Sequence, residues 1–137
     1  LKRLLVIFGF AVLTLTTSCV KDTYNFDDAL KGSWNLVQVS GGLAGLDEQI
    51  APGKVSWTFD GSGEIIVNNT VGVNQGGVLE SGKFDYNVIN SNGNTFLVIE
   101  NNEFGIYTIQ NGELRMDEAF TSDGVGKLDG FKLFFQR

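Results

Sequence analysis

The residue types that ordinarily perform catalysis are scarce in this 137-residue chain. It contains no histidine, which removes the commonest general base and the commonest metal ligand. Its one cysteine is Cys19. None of its serines sits in a Gly-x-Ser-x-Gly nucleophile turn. Carboxylates such as Glu80 and Asp85 could serve as acid and base on a glycoside, so a carboxylate-dependent hydrolase is the third of three functional readings. Asp60-Gly61-Ser62-Gly63-Glu64 offers two carboxylates but lacks the count and alternate spacing of a calcium loop. Its composition is that of a hairpin turn. Asp117-Glu118 with Asp123 and Asp129 reads as a solvated acidic loop. The sequence assigns no catalytic residue, no metal ligand and no cofactor, and the expectation is a protein that is not an enzyme.

The chain is better supplied with aromatic side chains at strand spacing. Trp57 and Phe59 fall on one face of a strand, and Phe84 and Tyr86 on one face of another. Phe96 and Tyr107 are placed to lie opposite. Two adjacent inward faces of this kind make a continuous apolar wall that could hold a small apolar molecule. These six residues are the candidate ligand-binding set. A barrel of eight strands can equally be filled by its own side chains. A cavity of about 300 Å³ or more, open at one end, would separate the two possibilities.

The elements that must position these residues read almost entirely as strands. Val55–Phe59 alternates apolar and polar, and Glu64–Asn68 follows the Asp60–Gly63 turn. Lys83–Val88 alternates, Asn92-Gly93 and Asn111-Gly112 are hairpin signals, and Phe131–Arg137 closes the pattern. In the first strand the period of two puts Trp34, Leu36 and Gln38 on one face, with Asn35, Val37 and Val39 on the other. Asp27–Leu30 fits one helical turn. Gly41–Gly53 and Ala119–Asp129 read as Gly-containing loops, and Asn69–Gly77 as loop or frayed strand. The 18 glycines and the single proline, Pro52, suit short strands and tight turns. About eight antiparallel strands result. An up-and-down barrel is the expected all-β fold, because closure removes exposed edges, and a β-sandwich is the alternative.

The first residues carry a different message. Lys2-Arg3, the apolar run Leu4–Leu15 and the small residues before Cys19 compose a secretory signal peptide over 1–18. The run is shorter than the ~20 residues a membrane-spanning helix needs. A lone cysteine in a secreted chain has no disulfide partner. Thr16-Thr17-Ser18-Cys19 resembles a bacterial lipobox, which implies cleavage before Cys19 and a diacylglycerol on its sulfur. The expected domains are the signal over 1–18, a lipidated N-terminus and tether over 19–29, and one barrel domain over 30–137. Losing Lys2 and Arg3 makes the formal charge of −6 more negative still. That sign opposes nucleic acid and adsorption to anionic lipid through the domain itself. An acyl anchor is the expected membrane contact. The expected location is the bacterial cell envelope, the outer membrane rather than the inner.

Leu30-Lys31-Gly32-Ser33-Trp34-Asn35-Leu36 carries the Gly-x-Trp signature of lipocalin-like proteins. With the hairpin Trp57–Gly63 and a last strand ending Phe134-Phe135-Gln136-Arg137, the chain resembles the small lipocalin-like lipoproteins of Bacteroidetes-type bacteria. The resemblance implies that Trp34 plugs one barrel end and that Arg137 or Arg115 stacks over it. It also implies binding of a small apolar or amphipathic molecule. The alternative is a structural or protein-interaction lipoprotein with a filled barrel, acting through loops such as Gly41–Gly53 and Val71–Leu79. The sequence names no protein partner.

Overall fold

The computed structural model describes residues 25–72 and 77–137. The signal peptide, Cys19 and part of the Val71–Leu79 loop lie outside the described residues. Nine strands form: β1 Gly32–Gly41, β2 Leu46–Gln49, β3 Val55–Phe59, β4 Glu64–Asn69, β5 Gly82–Ser91, β6 Asn94–Ile99, β7 Asn102–Gln110, β8 Glu113–Asp117 and β9 Phe131–Gln136. Each pairs antiparallel with its neighbour, and β9 returns to pair with β1. Eight strands therefore close an up-and-down barrel, and the sandwich alternative is set aside. The ninth, β2, pairs with the upper half of β1, while β3 takes the lower half of the same edge. The Gly41–Gly53 segment expected as a loop thus contains a strand.

The strands follow from side chains that alternate about the sheet. Val55, Trp57 and Phe59 are buried on β3, Ile65 and Val67 on β4, Leu114 and Met116 on β8, and Leu133 and Phe135 on β9. The turns are set by local chemistry. Asn92-Gly93 and Asn111-Gly112 both take positive φ at their two central residues, the conformation whose twist suits two-residue hairpins. At Asp60 the carboxylate Oδ1 accepts N–H groups from Ser62, Gly63 and Glu64 at 2.7–2.9 Å. The Ser62 hydroxyl and these N–H groups hold the Asp60 carboxyl at a pKa of about 2.

Two irregularities overturn simple alternation. In β1 the register with β9 shifts between Leu36 and Gln38, leaving Val37 as an extra residue. Trp34, Leu36 and Val39 are therefore buried, and Gln38 turns outward to donate to Asp47. In β7 the register with β6 shifts so that Phe104 is the extra residue between Glu103 and Gly105. This bulge brings the Phe104 ring to 5.7 Å from that of Trp57, edge-on.

On β6 four successive residues, Phe96–Ile99, are buried. Leu97 and Ile99 belong to the core, whereas Phe96 pairs with Ile89 and Ile106 on the outer face. Ser122 explains how an outward Phe96 is covered. Its N–H and hydroxyl donate to Glu103 of β7 at 2.5 Å, and its carbonyl accepts from Ser91 of β5 at 3.4 Å. The β8–β9 loop thus crosses β6 on the outside of the barrel.

Candidate functional site at the barrel ends

The first residues of the described chain close one end of the barrel. Asn25 pairs with β5 on its β4 side by accepting the Val88 N–H at 2.8 Å, and Asp27–Leu30 makes one turn through Leu30 N–H to Asp27 C=O. Leu30 is fully buried beneath it. Trp34 Nε1 donates to Leu30 C=O at 2.7 Å. Arg137 sets its guanidinium carbon 4.2 Å from the centre of the Trp34 ring and donates to the carbonyls of Ala29 and Lys31 at 2.8 and 3.0 Å. Arg115 is elsewhere. It pairs with Glu113 at 2.7 Å and stands 5.9 Å from the Phe134 ring, because alternation on β8 points it out of the barrel. Arg137 is thus the arginine over Trp34, and Arg115 has no part in this closure. Tyr107 completes the end by donating its hydroxyl to Asp27 Oδ2 at 2.7 Å. Burial, then the bond to the Asp27 carboxylate, pushes the Tyr107 phenol far above its usual range.

The six aromatic candidates do not gather around a hollow. Trp57 and Phe59 are buried and lie against other rings: Trp57 to Phe135 at 5.0 Å and to Phe59 at 6.4 Å, Phe59 to Tyr86 at 5.1 Å. Edge and tilted contacts of this kind contribute about 0.5–1.5 kcal/mol each beyond area burial. Trp57 Nε1 is buried with no hydrogen-bond partner among the described residues. Tyr86 and Tyr107 reach from this core to the closed end, and burial followed by the Asp60 charge raises the Tyr86 phenol. Phe84 is half-buried against the core at the other end. Phe96 faces outward and is removed from the ligand set.

Beyond Trp57 the barrel opens into a cleft of about 330 Å³ at its mouth. Leu79, Phe84, Ile99 and Phe104 supply its apolar walls, and Glu100, Glu103, Glu118 and Lys127 its charged rim. Phe104 is the link between cleft and core, since its other side meets Trp57. Gly105 lets the end of β8 approach: a Cβ there would lie 2.3 Å from Asp117 O and 2.8 Å from Glu118 Cα. Burial raises the Glu118 carboxyl above its usual range, opposed by the Phe131 N–H, which donates to Glu118 Oε2 at 3.3 Å, and by Lys127. Further clefts of about 240 and 500 Å³ lie against Phe26 and Asn87 and against Phe134 and Ile50. Neither Trp57 nor Phe59 lines any of the three.

Of the mouth residues, the sequence singled out Phe84 for a site. Phe104 escaped because alternation back from Tyr107 sends it outward, and only the bulge reverses it. Among the described residues no cluster of three or more potential metal ligands occurs, and no helix is long and apolar enough to cross a membrane. Compared with protein-family models, curated proteins and solved structures, the chain matches none.

Proposed function

We propose that this chain is a lipid-anchored, lipocalin-like protein of the bacterial cell envelope that binds a small apolar or amphipathic molecule without transforming it. The observation that carries the reading is the apolar cleft at the mouth, seated on Phe104 and through it on Trp57. The binding site is thereby moved from the barrel interior, where rings pack on rings, to its rim. The signal sequence ending at Cys19 supports the anchor. Five residues separate Cys19 from Asn25, and the six steps between them span at most about 20 Å when extended. The closed end therefore lies toward the membrane and the mouth away from it. A non-enzymatic role is supported by the lack of histidine and by the engagement of rim carboxylates: Glu100 accepts the Asp85 N–H and Glu103 the Ser122 N–H and hydroxyl.

The test has two arms. Intact mass of the protein taken from its own host should show a diacylglycerol adduct at Cys19, and a free thiol there would end the anchor reading. Titration of a Trp34→Phe variant, whose remaining indole is Trp57, with the neutral probe N-phenyl-1-naphthylamine should change Trp57 emission at micromolar concentration. No binding would leave the second reading, an interaction protein with a filled barrel, which the packing around Trp57 favours.

A further inference from the structure

The rim of the mouth cleft is unbalanced in charge. Glu100, Glu103 and Glu118 border it with Lys127 as the one cation among its lining residues. Its walls, Leu79, Phe84, Ile99 and Phe104, are apolar. The three carboxylates are also fixed in place. Glu103 is clamped by Ser122, Glu100 is held by the Asp85 N–H, and Glu118 by the Phe131 N–H. Each of those contacts satisfies an oxygen without adding a positive charge, and none of the three is paired in an ion bridge in the described structure, although Lys127 acts on Glu118 from a distance. A volume of about 330 Å³ is at the lower end of small-molecule sites and suits one chain or ring system.

Resting on the mouth-binding reading above, we propose that the cleft selects a cationic amphiphile: an apolar body against Phe84 and Phe104, and an ammonium head among Glu100, Glu103 and Glu118. An anionic head is opposed by the same three charges, and a neutral head gains no charge attraction from them. Fixed carboxylates need no reorganisation to meet a cation, so the preference is built in before the ligand arrives.

Three surfactants of equal chain length, decyltrimethylammonium, decyl maltoside and decyl sulfate, test the proposal on the mature chain below their micellar concentrations. Isothermal titration supplies the affinities, and circular dichroism checks that the barrel stays folded. The expected order is ammonium, maltoside, sulfate, with the first at least tenfold tighter than the last. Glu100→Gln and Glu118→Gln should each reduce that ratio by about threefold. Rising salt should compress it. Phe84→Ser should weaken all three. Equal affinities, or a ratio insensitive to both Gln variants, would overturn the cation preference while mouth binding stood. Failure of all three to bind, or indifference to Phe84→Ser in a folded protein, would overturn mouth binding itself.

Discussion

Removing the Arg137 side chain should loosen the closed end of the barrel without touching its core. The side chain makes two hydrogen bonds, to Ala29 and Lys31 carbonyls at 2.8 and 3.0 Å, and covers the Trp34 ring at 4.2 Å. Arg137 is itself exposed, so the lower values apply. Two such bonds contribute about 0.5–1 kcal/mol each, and an exposed guanidinium over an indole adds about 0.5–1 kcal/mol. The Arg137→Ala variant should lose about 1.5–3 kcal/mol. A domain of this size shifts by about 4 °C per kcal/mol, so its Tm should fall by about 6–12 °C. Arg137→Lys keeps the charge but loses the planar fork, and should recover less than half of the loss. Arg115→Ala is the control. It removes an exposed pair with Glu113, worth about 0.5 kcal/mol or less. Thermal melts of the three variants decide the matter. A melting temperature for Arg137→Ala within 1–2 °C of the parent (about 0.5 kcal/mol by the same scaling), or equal losses for Arg115→Ala and Arg137→Ala, would refute the closure argument.

Tyr107→Phe removes the bond to Asp27 and should cost about 1 kcal/mol. Its signature is faster hydrogen exchange at the Val88 N–H, whose acceptor is Asn25, with β8 and β9 unchanged. Gly105→Ala places a methyl against backbone of Asp117 and Glu118, which cannot yield as a side chain would. It should cost more than about 2 kcal/mol in chemical denaturation, and a neutral result would mean that β8 does not approach β7 as described. Asp60 is depressed from the ordinary 3.8 to about 2 by the Ser62 hydroxyl and the turn N–H groups. Its stabilising contribution is present above 3.8 and lost as pH falls through about 2. Carboxyl NMR should place its midpoint near 2, and a midpoint near 3.8 would contradict the turn geometry.

Strand identity was legible because the core residues recur at every second position, as in Val55–Phe59 and Phe131–Phe135. The hairpins were legible because Asn-Gly pairs carry their own turn conformation. The bulges were not. Nothing local distinguishes Val37 or Phe104 from any other strand residue, and each bulge is fixed by its partner strand. This is why Gln38 was assigned to the wrong face and Phe104 left out of the site. Phe96 failed for a different reason. Its burial comes from a loop some 25 residues later in sequence, anchored by Ser122 on both sides of β6. A sequence pattern registers that a residue is buried more readily than which side of a sheet buries it. Similarly, Arg115 and Arg137 are equivalent as arginines near the end of the chain, and only strand alternation separates them.

The two barrel ends divide the labour physically. At the closed end three side chains converge on Asp27–Lys31: Trp34 and Arg137 donate to its backbone carbonyls, and Tyr107 to the Asp27 carboxylate. Such contacts hold a segment that the anchor reading places next to a membrane, and they tie its position to the whole fold. At the mouth the contacts are of another kind. Carboxylates are restrained by nearby N–H and hydroxyl groups, apolar rings are left half-buried, and close backbone approach is permitted by glycine at position 105. Removing a closed-end contact should therefore lower stability with little effect on the mouth. Removing a mouth charge should alter recognition with little effect on stability. The bulge at Phe104 joins the core to the mouth, since its ring meets that of the core tryptophan edge-on and its residue lines the cleft. Occupation of the cleft has a direct route to Trp57 through that single contact, which makes the indole a reporter of the mouth even though it lines none of it.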